Sequence, residues 1–487
     1  MSSDARRYRI IVLALASAFT VVLATASVAR HDHYSTQVFD LGIFDQGLWL
    51  VSRLRDPFVT LRGLNLFGDH SSYLMVSLAP LYWILPDVRA LIVLTVMALA
   101  AGAVLAYEVC RTEGVRPSLS ALVAGAYLLH PAVSWSAWDN FHPEVLAIPL
   151  LLAAHLLFLR HRPGWAFALI VLVLAAKEDA ALVVVPYGAY IWWRNRDRRW
   201  GPAVVVTGLV VFVLNVMVLL PAFSPTGDLI YLNRYGQFGD TLAQALVSMA
   251  TSPLQLLREL TTFPRVMYVG AMIVPLSLAV LAPEVLLIGV PISLANLLSV
   301  HGYQHDIRFH YTAYLIAVLV MAAAVGARRL QGWLRRGRWL NFAFASVLTA
   351  SLVALVMAGP IPRGPTLPGI DDRHPEMRDP WGWSAQSPQL VEEAIALIPS
   401  DAAVAADYTV APHLAHRDRV YMFPNPFVAR FWSVPGAEPP PPDDVEWVVV
   451  RRSALGFEDV RQGFEIVMQQ AFTKVLENDE VIVYRRS

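Results

Sequence analysis

The chain has 487 residues, of which 56% are hydrophobic and 16% charged, with a mean hydropathy of +0.49 and no formal net charge. A soluble domain carries closer to about a quarter charged residues, so this composition excludes an ordinary soluble protein and indicates a polytopic membrane protein. The neutral balance implies no polyanionic partner, nucleic acid included, and the single cysteine, Cys110, excludes a disulfide within the chain.

The N-terminal MSSDARRYRI places a basic flank before an apolar run over 10–29. It could pass for a signal peptide, but the run is long enough to span, and it reads as an uncleaved first span. The stretch from His31 to His70 follows. It carries Asp32, Asp40, Asp45, Asp56 and Asp69, with His31, His33 and His70, among aromatics and glycines. Carboxylates just outside a span, on a loop too apolar to float in water, suggest an active-site loop lying on the membrane surface. Residues 74–85 are apolar but interrupted by Pro80 and followed by Pro86, which suits an interfacial or re-entrant helix. Further spans are expected near 88–109, 119–138, 145–159, 165–176, 180–193, 202–221, 264–281, 284–300, 309–327 and 340–358, about eleven in all.

Orientation follows the basic turns. Arg6, Arg7 and Arg9 precede the first span. Arg111 and Arg116, Arg160 and Arg162, then Arg194, Arg196, Arg198 and Arg199, and Arg328, Arg329, Arg335, Arg336 and Arg338 fall on the same side by span parity. That side is expected to be the cytoplasm. The opposite face then holds the first loop, 139–144, 177–179, 224–263, 301–310 and everything after 358. Residues 360–386 form a Pro-rich polar linker. From 387 to 487 helical and strand patterns alternate: VEEAIALI, PHLAHR and FEDVRQGFEIVMQQA as helices, AAVAAD, RVYMF, EWVVVRR and EVIVYRR as strands. A small soluble α/β domain on the extracytoplasmic face is expected, with the transmembrane body over 1–359 and its first loop over 30–72.

Five clusters can carry chemistry. In FDLGIFDQ, Asp40 and Asp45 stand in one apolar run. Helix capping would explain one such acid but not two. A carboxylate partly desolvated at a lipid boundary suits a general base. FGDH brings Asp69 and His70 to the end of the loop, near His31, Asp32 and His33 at its start. Such groups can ligate a divalent metal, but their spacing matches no metal motif, and interfacial polar residues hydrogen-bonded to each other explain them better. WDNFHPE supplies Asp139, His142 and Glu144. KED supplies Lys177, Glu178 and Asp179. HGYQHDIRFHY supplies His301, His305, Asp306, Arg308 and His310. Ionisable groups at membrane depth are costly and face a cavity or one another. Any one cluster can be a neutral brace between helices, but three on the face of the first loop suggest a site. The chain has only two lysines, Lys177 and Lys474. Lysine at 177, where arginine is the default, suggests a point charge for a phosphate, and Arg308 can bind one bidentately.

FDLGIFDQ, FGDH, FHPE and KED in this order, with the tail IPSDAAVAADYTVAPHLAHRDRVYMFPNP, resemble a bacterial multi-spanning membrane family catalogued as a domain of unknown function, over nearly the whole chain. That family is similar to the GT-C glycosyltransferases. The resemblance implies a GT-C-like helical membrane body with a soluble C-terminal domain outside. It also implies an acid of the first loop as catalytic base and a sugar on a polyprenyl phosphate as donor. Carried onto this sequence, the base is Asp40, with Asp45 as the second candidate. The literal paired-acid motif of GT-C loops is missing, because the two acids are separated.

The expected function is inverting transfer of a sugar from a polyprenyl-phosphate donor to an extracytoplasmic glycan, lipid or protein acceptor, in the bacterial cytoplasmic membrane. Asp40 or Asp45 serves as base, and Lys177 and Arg308 hold the donor phosphate. Asp69, His70, His142, Glu144, Glu178, Asp179, His305 and His310 line the pocket, and a divalent cation is an open cofactor. The alternative is a transporter or flippase of a lipid-linked or small polar substrate, with Lys177, Glu178 and Asp179 as coupling site.

Overall fold

The computed structural model describes residues 3–195, 198–227, 232–239, 241–334, 337–360, 385–434 and 437–487. Nearly all of the expected Pro-rich linker, and Arg196, Arg335 and Arg336 of the basic turns, lie outside the described residues. Six helices among the described residues are long and apolar enough to cross a membrane: Ser3–Asp32, Val88–Thr112, Trp200–Phe223, Phe263–Leu281, His310–Trp333 and Arg338–Ala358. The other expected spans fall on shorter apolar helices, among them Pro143–Leu159, Pro163–Leu174 and Ala181–Asn195. Leu74–Ile84 is a short helix through Pro80.

The stretch expected to be continuous over 119–138 is two helices, Pro117–Leu128 and Pro131–Trp138. Pro131 has no N–H and opens the second helix at its first position. His130 caps it, its Nδ1 accepting from the Ala132 amide at 3.2 Å. The break turns the chain toward Asp139.

The helix Ala313–Trp333 is the hub, with every residue from Ala313 to Ala327 buried. It packs against Pro143–Leu159, Val88–Thr112 and the segment 274–281. Small residues permit this approach: a Cβ at Gly326 would run into the Leu278 carbonyl. Helices at the edge, such as Trp200–Leu214 and Arg338–Ala358, bury only one narrow side.

The first loop is ordered. It holds the helix Ile43–Ser52, the short pair β1 (Phe58–Val59) and β2 (Leu64–Asn65), and one turn of helix at Leu66–Asp69. The C-terminal region forms one five-stranded mixed sheet in the order β4–β3–β5–β7–β6. Its strands are β3 (Val404–Ala406), β4 (Val420–Met422), β5 (Trp447–Arg451), β6 (Phe472–Glu477) and β7 (Val481–Arg486). β3 runs parallel to β4 and β5, while β7 is antiparallel to β5 and β6. The expected strands are all present. The expected helix over PHLAHR is a single 3-10 turn, Ala411–Leu414, and β6 is an additional strand.

Loop and sheet are joined by buried hydrogen bonds. Thr60 Oγ1 donates to the Val420 carbonyl at 2.7 Å and accepts from its amide at 3.0 Å. Gln46 Nε2 donates to Thr60 Oγ1 and to the Arg417 carbonyl. Ser433 N donates to the Arg62 carbonyl at 2.7 Å, and Val38 N to that of Tyr408 at 3.0 Å. One apolar core runs from the membrane helices through Leu41, Leu48 and Leu61 into Val404, Val410, Leu414 and Val420.

Candidate active site

Four chain segments end at one place. Asp40 sits in the turn Val38–Gly42, a π turn broken at Phe39 and Asp40. Asp40 has φ +68°, a conformation that costs a non-glycine residue about 1–3 kcal/mol and persists only where neighbours impose it. Here the Tyr408 carbonyl ties Val38, and Asn140 Nδ2 ties the Phe39 carbonyl at 3.3 Å. His142 is extended before Pro143, as a residue preceding proline prefers, and Pro143 starts the helix that carries Glu144. Lys177 is extended between the helix Pro163–Leu174 and a 3-10 turn at Glu178–Ala180. His310 lies in the 3-10 turn that opens the hub helix.

These segments bring together Asp40, Asp139, His142, Glu144, Lys177 and His310. Asp40 Oδ2 and His142 Nε2 are 2.9 Å apart, without the alignment of a hydrogen bond. The His142 and His310 rings stack at 3.5 Å between centroids. His310 Nε2 is 3.5 Å from Glu144 Oε1, and Lys177 Nζ donates to that oxygen at 2.7 Å. The His310 amide donates to Asp139 Oδ2 at 3.2 Å. Phe44 closes one side of His142 edge-on. Lys177 Nζ lies 5.1 Å from the Tyr311 ring centroid and the Arg234 guanidinium 5.9 Å from the same ring. Two cations thus stand near one phenol ring.

Charge is arranged as well as packed. Burial raises the Asp40 carboxyl, but His142, Lys177 and His70 outweigh it and hold the group below the ordinary carboxylate range. Burial opposes the charge on His142, yet Asp40, Asp139 and Glu144 raise its pKa to about 9. Burial pushes Asp139 up to about 7. Lys177 is raised despite burial, by Glu144 first and then Asp179. Asp40 keeps 36% of its side chain exposed, whereas His142, Glu144 and Lys177 keep 4% or less. The open carboxylate therefore faces a closed wall of ion pairs.

The other expected residues stand elsewhere. Asp45 is buried, accepting from the Tyr82 hydroxyl, and lies 2.9 Å from His416 Nε2 of the C-terminal region. His70 Nδ1 is 3.0 Å from Glu178 Oε1, whose partner oxygen accepts the Ser71 amide. Asp69 faces Arg62 at 3.8 Å. Arg308 grips Asp306 through Nε and Nη2. His305 is half-buried near the Asp306 and Glu259 charges. Of the loop's opening groups, Asp32 pairs with Arg89, and His31 stacks on His413 at 4.0 Å. Arg234 had no signal in the sequence, because no motif or composition shift marks it; Tyr311 and His416 stand inside HGYQHDIRFHY and PHLAHR, but nothing in the spacing gave either a role.

Among solved structures, ArnT from Cupriavidus metallidurans bound to undecaprenyl phosphate matches over 97% of both chains at 11% identity, with a TM-score of 0.55. The apo state of the same protein matches over 95% of this chain and 97% of its own, again at 11% identity, with a TM-score of 0.52. The fold is therefore the GT-C fold that ArnT has. A search of curated proteins gave no match. The profile of the family described as predicted membrane protein (DUF2079) matches residues 30–483, so the chain belongs to that family.

Proposed function

We propose that this protein is a membrane glycosyltransferase that moves a sugar from a polyprenyl-phosphate donor to an acceptor hydroxyl, with inversion. One observation carries the reading: an open carboxylate, Asp40, on an imposed turn, faces the buried charges of His142, Glu144 and Lys177. The fold shared with ArnT, solved with undecaprenyl phosphate, adds support for a polyprenyl lipid. In this mechanism Asp40 accepts the proton of the acceptor hydroxyl as its oxygen attacks the sugar C1. The bond from C1 to the phosphate oxygen breaks, and polyprenyl phosphate leaves with the electron pair. Lys177 and Arg234, both near the Tyr311 ring, meet the growing negative charge. Arg308, whose charge Asp306 already balances, braces the loop before the hub helix. Lipid-linked chemistry accounts for a site at the membrane boundary. The N-terminus then lies in the cytoplasm of a bacterial cell, and the first loop and C-terminal sheet lie outside the cytoplasmic membrane.

The test is transfer from a polyprenyl-phosphate sugar by the purified chain in liposomes. Asp40→Asn is expected to lose about 10²–10⁴-fold in rate, the range for removing a positioned base. Unchanged transfer by Asp40→Asn sinks the assignment of the base. Proton-coupled flux of the lipid with no transferred product supports a transporter instead.

A further inference from the structure

We propose that Asp40, His142 and His310 form a binding site for one divalent transition-metal cation of the zinc type. This deepens the reading of the same site and rests on it for its role, but not for its detection. Each residue offers one ligand atom, and the three lie within 4.8 Å of one another. Asp40 Oδ2 and His142 Nε2, at 2.9 Å, are already close to the separation of about 3.3 Å that a tetrahedral ion with bonds near 2.0–2.1 Å sets between two ligands. The third ligand needs a side-chain adjustment of about an ångström or more.

A second observation is independent of that spacing. Nδ1 of His142 and Nδ1 of His310 are buried without a hydrogen-bond partner, and His142 Nε2 meets only the misaligned Asp40 Oδ2 at 2.9 Å. Leaving a buried polar atom unpaired costs about 1–3 kcal/mol, and buried nitrogens without partners seldom gather at one point. A cation takes the place of the proton on His142 Nε2 that pairs with Asp40, and satisfies one nitrogen of each ring through its lone pair. The surroundings fit such a site. His310 Nε2 lies 3.5 Å from Glu144 Oε1 and Nδ1 3.7 Å from Asp139 Oδ2, so whichever nitrogen takes the ion, the other has a carboxylate beside it. The carboxylate–histidine–metal arrangement fixes the ring in this way. Glu144 is held in turn by Lys177 at 2.7 Å.

Two imidazoles and a carboxylate select zinc and its neighbours over magnesium or calcium, which prefer oxygen. Three protein ligands leave a fourth position open, as in sites that admit a substrate oxygen. Asp40 bound through Oδ2 keeps Oδ1 for the hydroxyl proton, so the base and the ligand are the same side chain in two functions.

The experiment measures metal, not turnover. The full chain in detergent is stripped with chelator, then equilibrated with Zn²⁺ alone and, separately, with Co²⁺ and Mg²⁺. One equivalent of zinc per chain is expected, with visible absorption of tetrahedral cobalt and no retention of magnesium. His142→Gln and His310→Gln are expected to abolish retention, and Glu144→Gln to weaken it about 10–100-fold. If the histidine variants do not fold, Asp40→Asn decides, since its side chain is partly exposed; retention equal to wild type overturns the site. Failure of the wild-type chain to hold zinc also overturns it, as does equal retention of magnesium. Zinc bound by a chain that transfers no sugar sinks the transferase and leaves the metal site. Transfer by a chain that holds no zinc does the reverse.

Discussion

Asp40 and Asp45 are equivalent on paper: two acids beside phenylalanines in one apolar run. Their environments separate them. Asp45 lies inside a regular helix turn, buried and bonded to Tyr82 and close to His416, partners 37 and 371 positions away. No local pattern encodes such partners, which is why sequence spacing could name both acids and choose neither on chemistry. Asp45→Asn is expected to lower stability by about 1–3 kcal/mol by weakening those contacts, while transfer per folded molecule changes little. Thermal unfolding alongside the transfer assay checks this. The opposite profile is expected for Asp40→Asn, because asparagine tolerates a positive φ at least as well as aspartate. Equal loss of stability in both variants contradicts the division. Lys177 was legible for a different reason: in an arginine-rich chain its identity is itself a signal. Arg234 was not, because its role comes from the ring of Tyr311 and not from its neighbours in sequence.

The first loop is held in shape by the C-terminal sheet. Gly63 has φ +70°, and a Cβ there would lie 2.5 Å from the Trp432 ring. Gly63→Ala therefore combines backbone strain with a clash and is expected to cost about 1–3 kcal/mol, seen as a lower unfolding temperature. A pH response is expected in the same contact. His413 faces His31, Arg89, Asp87 and Tyr34, and burial, then the charges of His31 and Arg89, hold its pKa well below the ordinary value. It is neutral in the fold and gains a proton on release, so stability falls as pH drops through about 6.5, the ordinary histidine value. Hydrogen exchange of 31–40 and 408–416 is expected to speed up below that pH, and His413→Phe to remove the response at His413. An unchanged profile in that variant rejects the assignment. At this scale the sequence was informative about buried elements and poor at edges. β3, β4, β5 and β7 were visible as apolar runs. β6 is an exposed edge strand with little apolar alternation, so only its pairing with β7 defines it.

For the molecule as a whole, hydropathy decided most of the architecture, because a helix in lipid must satisfy its own backbone and fill the span with apolar residues. The convergence of Asp40, His142, Lys177 and His310 was legible only as a shared face. Their meeting depends on the buried hub helix and the Pro131 break. The continuous core joining membrane helices to sheet was not legible, since both ends look like ordinary apolar runs. It predicts that a chain truncated before Ser387 exposes its first loop. Limited trypsin digestion is expected to cut the truncated form rapidly at Arg62, which the Phe431 and Ser433 carbonyls hold in the full chain, and to spare that bond in the full chain; equal cleavage at Arg62 in the two argues against the shared core.

The bonds between Thr60 and Val420 join positions 360 residues apart. During synthesis the first loop is made early, yet its partners emerge only near the end. Until then Asp40 has nothing from Tyr408 to hold its turn. The turn that carries Asp40 is therefore incomplete while the chain is being made, and on the proposed reading an unfinished copy lacks its base until residues 408–420 have docked on the first loop.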